Sequence, residues 1–310
     1  MKQIIDAIDK QVIKDELKKA RLLKTSPYGN HEIYVFTNND SPILMREVGR
    51  LREITFRQAG GGTGESLDID EYDTGENLFS QLIVYNPQTE EIMGGYRYIT
   101  GDKIKVENNI LMTPTGKLFE CTTEFHEEIT PYMIELGRSF VIPEYQASSE
   151  IKKGIFVLEN LWIGLGAIVL ENQFLKYTFG KITMYPDYNV FARDILLNFL
   201  DRYFPGDENL CKAIVPIKFK YPVEELNKYF EWNNYEQDYQ TLIQVIKNNG
   251  ETIPPLVNSY MNLSKTMKVF GTAINDHFGN VEETGILITI DDIVPAKLER
   301  YGLRERVTRT

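Results

Sequence analysis

The residues best suited to chemistry in this chain are charges placed where apolar strands and helices are expected. Glu135 and Arg138 lie inside Ile134-Glu-Leu-Gly-Arg-Ser-Phe-Val-Ile142, a run in which a charge is costly unless it is paired. Their spacing of three sends them to opposite faces of an ideal strand, so a bulge near Gly137 would be needed to bring them together. Arg97 interrupts a second strand between Tyr96 and Tyr98, and Arg52 shares a helix with Phe56 one turn on. Asp68, Asp70 and Asp73 supply the opposite sign. Such a set reads either as a structural ion-pair network or as a site in which a carboxylate moves protons and guanidiniums position a substrate.

Other chemistries find no support. The run Gly60-Gly-Gly-Thr-Gly64 follows a helix and lacks the Gly-Lys-Ser/Thr of a nucleotide loop. It reads as helix termination, or as a flexible connection that orders over a substrate. There is no Gly-x-Ser-x-Gly elbow, and His31, His126 and His277 pair with no recognisable nucleophile. No His-x-x-x-His or Cys-x-x-Cys spacing suggests a metal. Cys121 and Cys211 are too few and too far apart for a disulfide framework, and both are expected to be buried and reduced.

The 310 residues carry 34 Lys+Arg against 45 Asp+Glu, a net charge of −11 that argues against nucleic acid as a main partner. With 42% apolar residues the chain can bury a sizeable core. Residues 1–20 are charged throughout, with Ile4, Ile5, Ile8, Val12, Ile13 and Leu17 spaced as one helical face and no targeting signal. The apolar run Gly154–Leu170 is broken by Glu159 and Asn160 and falls short of the roughly 20 residues of a membrane span. A core helix is expected there, and a soluble cytoplasmic protein with at most peripheral contact at the inner membrane.

The elements that must position the charges follow in order. After the first helix come strands at 22–26 and 33–37, a helix at 42–58, and a hairpin of strands 79–86 and 92–99. Residues 101–131 are irregular. Strand 133–142, helix 150–174 and strand 180–185 are expected to form one parallel crossover, followed by helix 188–203. Segment 204–265 is Tyr-rich with short helical stretches, and strands at 267–274 and 285–290 close the chain. This is an α/β pattern of helices flanking a mostly antiparallel mixed sheet with one parallel crossover, in one domain over 1–310. Residues 204–265 form a helical insertion before the last strands. The order is also that of the GNAT acyltransferase fold.

Four blocks, Arg52-x-x-x-Phe56, Asp70-Glu-Tyr-Asp73, Gly95-Tyr-Arg97 and Glu135-Leu-Gly-Arg138-Ser-Phe-Val, resemble the signature set of acyl-homoserine-lactone synthases. They resemble still more closely the related bacterial aminolipid N-acyltransferases, which make ornithine and glycine lipids and are often labelled haemolysins. Pro254-Pro-Leu-Val-Asn-Ser-Tyr-Met-Asn-Leu263 and Ala273-Ile-Asn-Asp-His-Phe-Gly279 are similar to a second stretch of the aminolipid enzymes. The resemblance runs in order over residues 30–290 and is thinnest over 204–252.

It implies a GNAT-like fold and transfer of a (3-hydroxy) fatty acyl group from a pantetheine thioester to an amino-acid amine. Glu135 would be the base, with Arg138, Arg97, Asp70 and Asp73 positioning the acceptor and a loop. Backbone N–H groups near Arg138, Ser139 and Phe140 would stabilise the oxyanion. Arg52 and Phe56 would border the donor, and Ile110, Leu111, Met112, Leu118 and Phe119 would line an acyl tunnel or form simple core.

Ordinary acetyltransferases hold the coenzyme A pyrophosphate on a Gly-x-Gly/Ala loop, which the stretch 145–154 lacks. The resemblance therefore favours acyl carrier protein over acyl-CoA as donor, met by Lys152 and Lys153, with Arg193, on an acidic carrier surface. No tightly bound cofactor or metal is implied. A signal synthase is the alternative activity, disfavoured by the extra length and the C-terminal block. A non-catalytic, haemolysin-like lipid-binding protein would need membrane-inserting segments, for which only helix 1–20 is a candidate.

Overall fold

The computed structural model describes residues 1–76, 78–146 and 151–307, with the side chains of 151–153, 305 and 307 outside the description. Along the chain run α1 (Lys10–Leu17), β1 (Arg21–Thr25), β2 (Glu32–Phe36), α2 (Pro42–Gln58), α3 (Glu71–Thr74), β3 (Ser80–Asn86) and β4 (Glu91–Thr100). Two tiny strands, β5 (Val106–Glu107) and β6 (Ile110–Leu111), precede β7 (Phe119–Cys121), α4 (Thr123–Glu128) and β8 (Met133–Val141). Then come α5 (Ile151–Glu171), β9 (Tyr177–Met184), α6 (Val190–Tyr203) and β10 (Cys211–Ala213). The chain ends with α7 (Val223–Leu226), α8 (Tyr235–Asn248), α9 (Pro255–Met261), β11 (Lys268–Asn275), β12 (Val281–Thr289), α10 (Pro295–Arg300) and α11 (Arg304–Val307).

Eight strands form one sheet in the order β1-β2-β3-β4-β8-β9-β12-β11. Every neighbouring pair is antiparallel except β8 and β9, which run parallel on either side of the α5 crossover. A parallel pair cannot be closed by a tight turn, and the apolar α5 supplies the connection. Its Val157, Leu161, Leu165 and Ile168 are buried. The two polar residues that interrupt its apolar run are both bonded. Asn160 donates to Tyr28 O at 3.3 Å, and Glu159 pairs with Lys297 at 3.0 Å and Arg300 at 3.2 Å.

Helices cover both faces. On α2, Arg52 reaches Gln81 of β3. On α5, a Cβ at Gly164 would meet Leu82, the next residue of β3, at 3.0 Å. Successive strand residues face opposite sides, so α2 and α5 sit on opposite faces of the sheet.

The N-terminal helix is shorter than its apolar spacing suggests. Asp9 caps it, accepting from the backbone N–H of Gln11 at 2.8 Å. Upstream, the N–H groups of Lys2 and Ile5 donate to Gly64 and Ser66 carbonyls instead. Ile13 and Leu17 of α1 are buried in the core, while Val12 on the same helix is exposed.

The glycine run after α2 is pinned rather than loose. Buried Glu53 accepts from Thr63 N at 3.0 Å, Thr63 Oγ1 at 2.7 Å and Gly64 N at 2.7 Å. The two cysteines are buried as expected but form a disulfide, contrary to the reduced state expected for them. The antiparallel pairing of β7 with β10 sets Cys121 opposite Cys211, so their distance in sequence is no obstacle.

Candidate active site

The ladder between β4 and β8 carries a bulge. Gly95 pairs with Phe140 and Arg97 with Gly137, so one extra residue lies on β8. That residue is not accommodated by a left-handed Gly137. Arg138 itself takes φ +49°, a conformation that costs a non-glycine residue about 1–2 kcal/mol. Side-chain partners hold it there. Arg138 Nε lies 2.8 Å from Asp68 Oδ2, Nη2 lies 3.8 Å from Asp70, and the guanidinium sits 4.0 Å from the Phe278 ring centroid. The backbones approach closely here, and a Cβ at Gly94 would meet Phe140 O at 2.5 Å.

On its other edge β8 parts from β9. The parallel ladder runs from Met133–Tyr177 to Leu136–Gly180 and stops, although β8 continues to Val141 and β9 to Met184. A cavity of about 360 Å³ opens at this splay. Its lining includes Arg97, Glu135 and Phe56 from the α2 side and Tyr96, Ile155 and Leu158 from the α5 side. Arg97 and Tyr96 point to opposite faces of β4, so the cavity reaches both faces, and the splay is where it can pass.

A row of polar side chains crosses the sheet on the α2 face. Gln81 pairs with Arg97, Glu135 with Phe179, and Glu283 with Thr183, and Lys181 and Thr183 share a face of β9. Arg97, Glu135, Lys181 and Glu283 therefore stand on four adjacent strands and all line the cavity.

Glu135 is 2% exposed. Its Oε1 accepts from Thr115 Oγ1 at 2.6 Å and Thr115 N at 3.3 Å, while its buried Oε2 has no hydrogen bond of good geometry. Burial pushes its carboxyl above the ordinary glutamate value, against the weaker pull of the Thr115 hydroxyl and the Lys181 charge.

The remaining charges satisfy one another. Arg52 Nη1 lies 3.1 Å from both Asp73 oxygens, and its other Nη donates to Gln81. Arg97 Nη1 is 2.7 Å from Asp70 and 3.1 Å from Asp73. Asp70 and Asp73 also form a capping box on α3, Asp70 accepting from Tyr72 N and Asp73 from Asp70 N. Burial raises the Asp73 carboxyl, but the Arg52 and Arg97 guanidiniums outweigh it and hold the group well below the usual carboxylate range.

Of the residues singled out in the sequence, Glu135, Arg138, Arg97, Phe56, Ser139 and Phe140 line the cavity. Arg52, Asp70 and Asp73 do not, and Arg52 is sealed behind Asp73 rather than bordering a donor. Lys152 and Lys153 open α5, and their side chains lie outside the described residues. Arg193 is not free to meet a partner surface, since it pairs with Asp194 at 2.6 Å and Glu282 at 2.6 Å.

The suggested acyl tunnel over 107–120 is also displaced. Leu111 and Phe119 pack with Phe125, Met133, Phe179 and Phe270 in a small separate core, and Ile110 is 53% exposed. From that stretch only Pro114 and Thr115 reach the cavity. Its apolar end is built instead by Tyr145, Ile155, Leu158, Leu256 and Tyr260. Lys181, Glu283 and Thr115 were missed in the sequence. The signal for Lys181 was a charge beside Ile182 inside an apolar strand, while Glu283, between Glu282 and Thr284, carried none.

A model described as an acetyltransferase (GNAT) domain matches residues 51–153, from α2 to the opening of α5. Over 302 residues the chain is 46% identical to a glycine N(alpha)-acyltransferase of Phocaeicola vulgatus, covering 97% of this chain and 93% of that protein. A second glycine N(alpha)-acyltransferase, from Bacteroides thetaiotaomicron, is 47% identical over 97% of this chain and 90% of its own. The chain belongs to the GNAT N-acyltransferase family.

Among solved structures, a CoA-dependent acyl-homoserine lactone synthase, BjaI, with SAM and isopentyl-CoA aligns over 90% of both chains at 10% identity and TM-score 0.39. The splayed β8 leaves an open backbone edge beside the buried Glu135 carboxyl.

Proposed function

We propose that the protein transfers a fatty acyl group from an acyl-carrier-protein thioester to the amine of glycine, as a step of aminolipid synthesis. The observation that carries this reading is the single cavity through the β8–β9 splay, polar on the α2 side and apolar on the α5 side. A long acyl chain suits the apolar end and a small zwitterion the polar end. The two relatives named as glycine N(alpha)-acyltransferases support the acceptor.

In the reaction the amine enters as an ammonium beside Glu135, which takes its proton and leaves a nucleophilic lone pair. The nitrogen attacks the thioester carbonyl at the open edge of β8. Backbone N–H groups at Arg138–Phe140 meet the developing oxyanion. Attack forms the C–N bond and leaves a cationic nitrogen. As the tetrahedral adduct collapses and the C–S bond breaks, that nitrogen gives up its second proton and the departing thiolate takes it, leaving the amide and a free thiol. The Arg52–Asp73 pair fixes the strand geometry from behind the cavity wall, and Arg97 links it to the cavity itself.

A carrier-protein donor is favoured by the missing Gly-x-Gly/Ala spacing in 145–154. Its single phosphodiester needs no pyrophosphate cradle.

The test incubates purified protein with palmitoyl and 3-hydroxypalmitoyl thioesters of acyl carrier protein and of coenzyme A, and with each amino acid in turn. Mass spectrometry is expected to find N-acylglycine as the main product, faster from the carrier thioester. Absence of any N-acyl amino acid would overturn the activity, and equal kcat/KM for the two thioesters would overturn the donor.

A further inference from the structure

We infer that Lys181 is the anchor for the carboxylate of the acceptor amino acid, making the polar end of the cavity a two-point site for a zwitterion. The inference rests on the amino-acid acceptor proposed above and adds the group that reads its acid end.

The cations around the cavity differ in how fully they are spent. Arg97 pairs through Nη1 with Asp70 and Asp73, while its buried Nε makes no hydrogen bond among the described residues, and Arg138 pairs with Asp68, Asp70 and the face of Phe278. Among the described residues Lys181 has one ion-pair partner, Glu283 at 3.4 Å. Glu283 is itself shared, accepting from Asn275 Nδ2 at 3.0 Å. An ammonium carries three donors and accepts nothing. Lys181 thus brings unused donors to a cavity wall while its side chain is only 11% exposed. Such a cation gains from a second anion.

Glu135 offers the complementary half. Glu135 is among the residues lining the cavity, and its buried Oε2 has no hydrogen bond of good geometry, although the Thr113 hydroxyl is near enough to act on the carboxyl. An arriving ammonium supplies the missing donor. Glu135 and Lys181 stand on one face of adjacent strands, the first paired with Phe179 and the second two residues further along β9. Neighbouring strands lie about 4.8 Å apart and two residues rise about 6.6 Å along a strand, so the two backbones stand diagonally roughly 8 Å apart. The long Lys181 side chain brings its charge near enough to act on the Glu135 carboxyl, and the amine and carboxylate of one small α-amino acid can be held between the two heads. The sheet face closes just beyond, where the Phe119 ring packs on Gly285, the residue paired with Lys181.

The test compares glycine with glycinamide, which keeps the amine and lacks the carboxylate, each corrected for its fraction of free amine. The donor is whichever thioester supports wild-type turnover. Wild-type protein is expected to prefer glycine, and Lys181→Met to lose about 10–100-fold of that preference, the loss of one charge-assisted contact.

Lys181→Arg should restore part of it. The double variant Lys181→Met/Glu283→Gln removes both charges, so an uncompensated Glu283 cannot mimic the effect, and it should show the same collapse. Equal wild-type use of glycine and glycinamide, or an unchanged ratio in either folded variant, would overturn the anchor. Wild-type protein that acylates neither amine would instead overturn the proposed function and leave no preference to explain.

Discussion

Arg138 and Glu135 leave the same strand three residues apart, and their surroundings differ in kind. Arg138 finds Asp68 at 2.8 Å and the Phe278 ring at 4.0 Å. Glu135 has Thr115 on one oxygen and no well-formed hydrogen bond on the other. Around Arg138, Arg97 and Arg52, three aspartates meet three guanidiniums and each charge has an ion-pair partner, although Arg52 Nε and Arg97 Nε make no hydrogen bond among the described residues. Around Glu135 and Lys181 the charges are few and partly idle, although both groups are as deeply set.

A buried charge left short of partners costs stability. It persists where something other than the fold uses it. The saturated region holds the bulge in shape, and the unsaturated one is where reactants can still be received.

Breaking the saturated side should have the largest effect on the fold. Arg52→Met leaves Asp73 buried beside one fewer guanidinium and is expected to cost about 3–5 kcal/mol. Urea unfolding measures it, and a loss near zero would mean the network is dispensable.

The next effect is in pH. Burial raises the Glu135 carboxyl, so the base keeps its proton to a higher pH than an ordinary glutamate does. The acidic limb of kcat/KM should therefore lie above the ordinary glutamate value near 4.3 and fall about tenfold per pH unit below it. The limb should vanish in Glu135→Gln, and a limb at or below the ordinary value would contradict the assignment.

The linkage with stability has a definite sign. An acid whose value is raised on folding favours the protonated native state, so stability falls as pH rises from the unfolded value through the folded one. Glu135→Gln should abolish that fall and unfold no earlier than wild type at neutral pH.

The smallest effect concerns the boundary between the two regions. Phe278→Leu removes the ring beneath Arg138 and is expected to cost about 0.5–2 kcal/mol. Denaturant midpoints give the value, and a loss above that of Arg52→Met would relocate the main support of the bulge.

Much of this arrangement was readable in the sequence because it follows from period and punctuation. Pro42 and the glycines after Gln58 bracket α2, and the apolar run with Glu159 and Asn160 marks α5. Charges inside the strand 133–142 announced an irregularity, since two isolated charges cannot both be buried on opposite faces of a regular ladder. Its location was not readable at residue level. Glycine is the usual guess for a positive φ, and only the Asp68 and Phe278 contacts, 70 and 140 positions away in sequence, let Arg138 take it instead.

The same limit applies to Leu111 and Phe119, apolar residues equally suited to a tunnel or a core. The pairing of β7 with β10 assigns them to the core. Lys181 and Glu283 become conspicuous only when the register of β8, β9 and β12 sets them in one row with Glu135.

The division of labour between the two regions can be measured directly with one pair of variants, Glu135→Gln and Asp73→Asn, each assayed for unfolding free energy and for turnover per folded molecule. The account predicts a crossed outcome. Glu135→Gln keeps wild-type stability or gains some while turnover falls roughly 10²–10⁴-fold. Asp73→Asn loses about 3–5 kcal/mol, and its folded fraction keeps turnover within about tenfold of wild type. Near-normal turnover in Glu135→Gln, or a loss of stability there that matches Asp73→Asn, would contradict it.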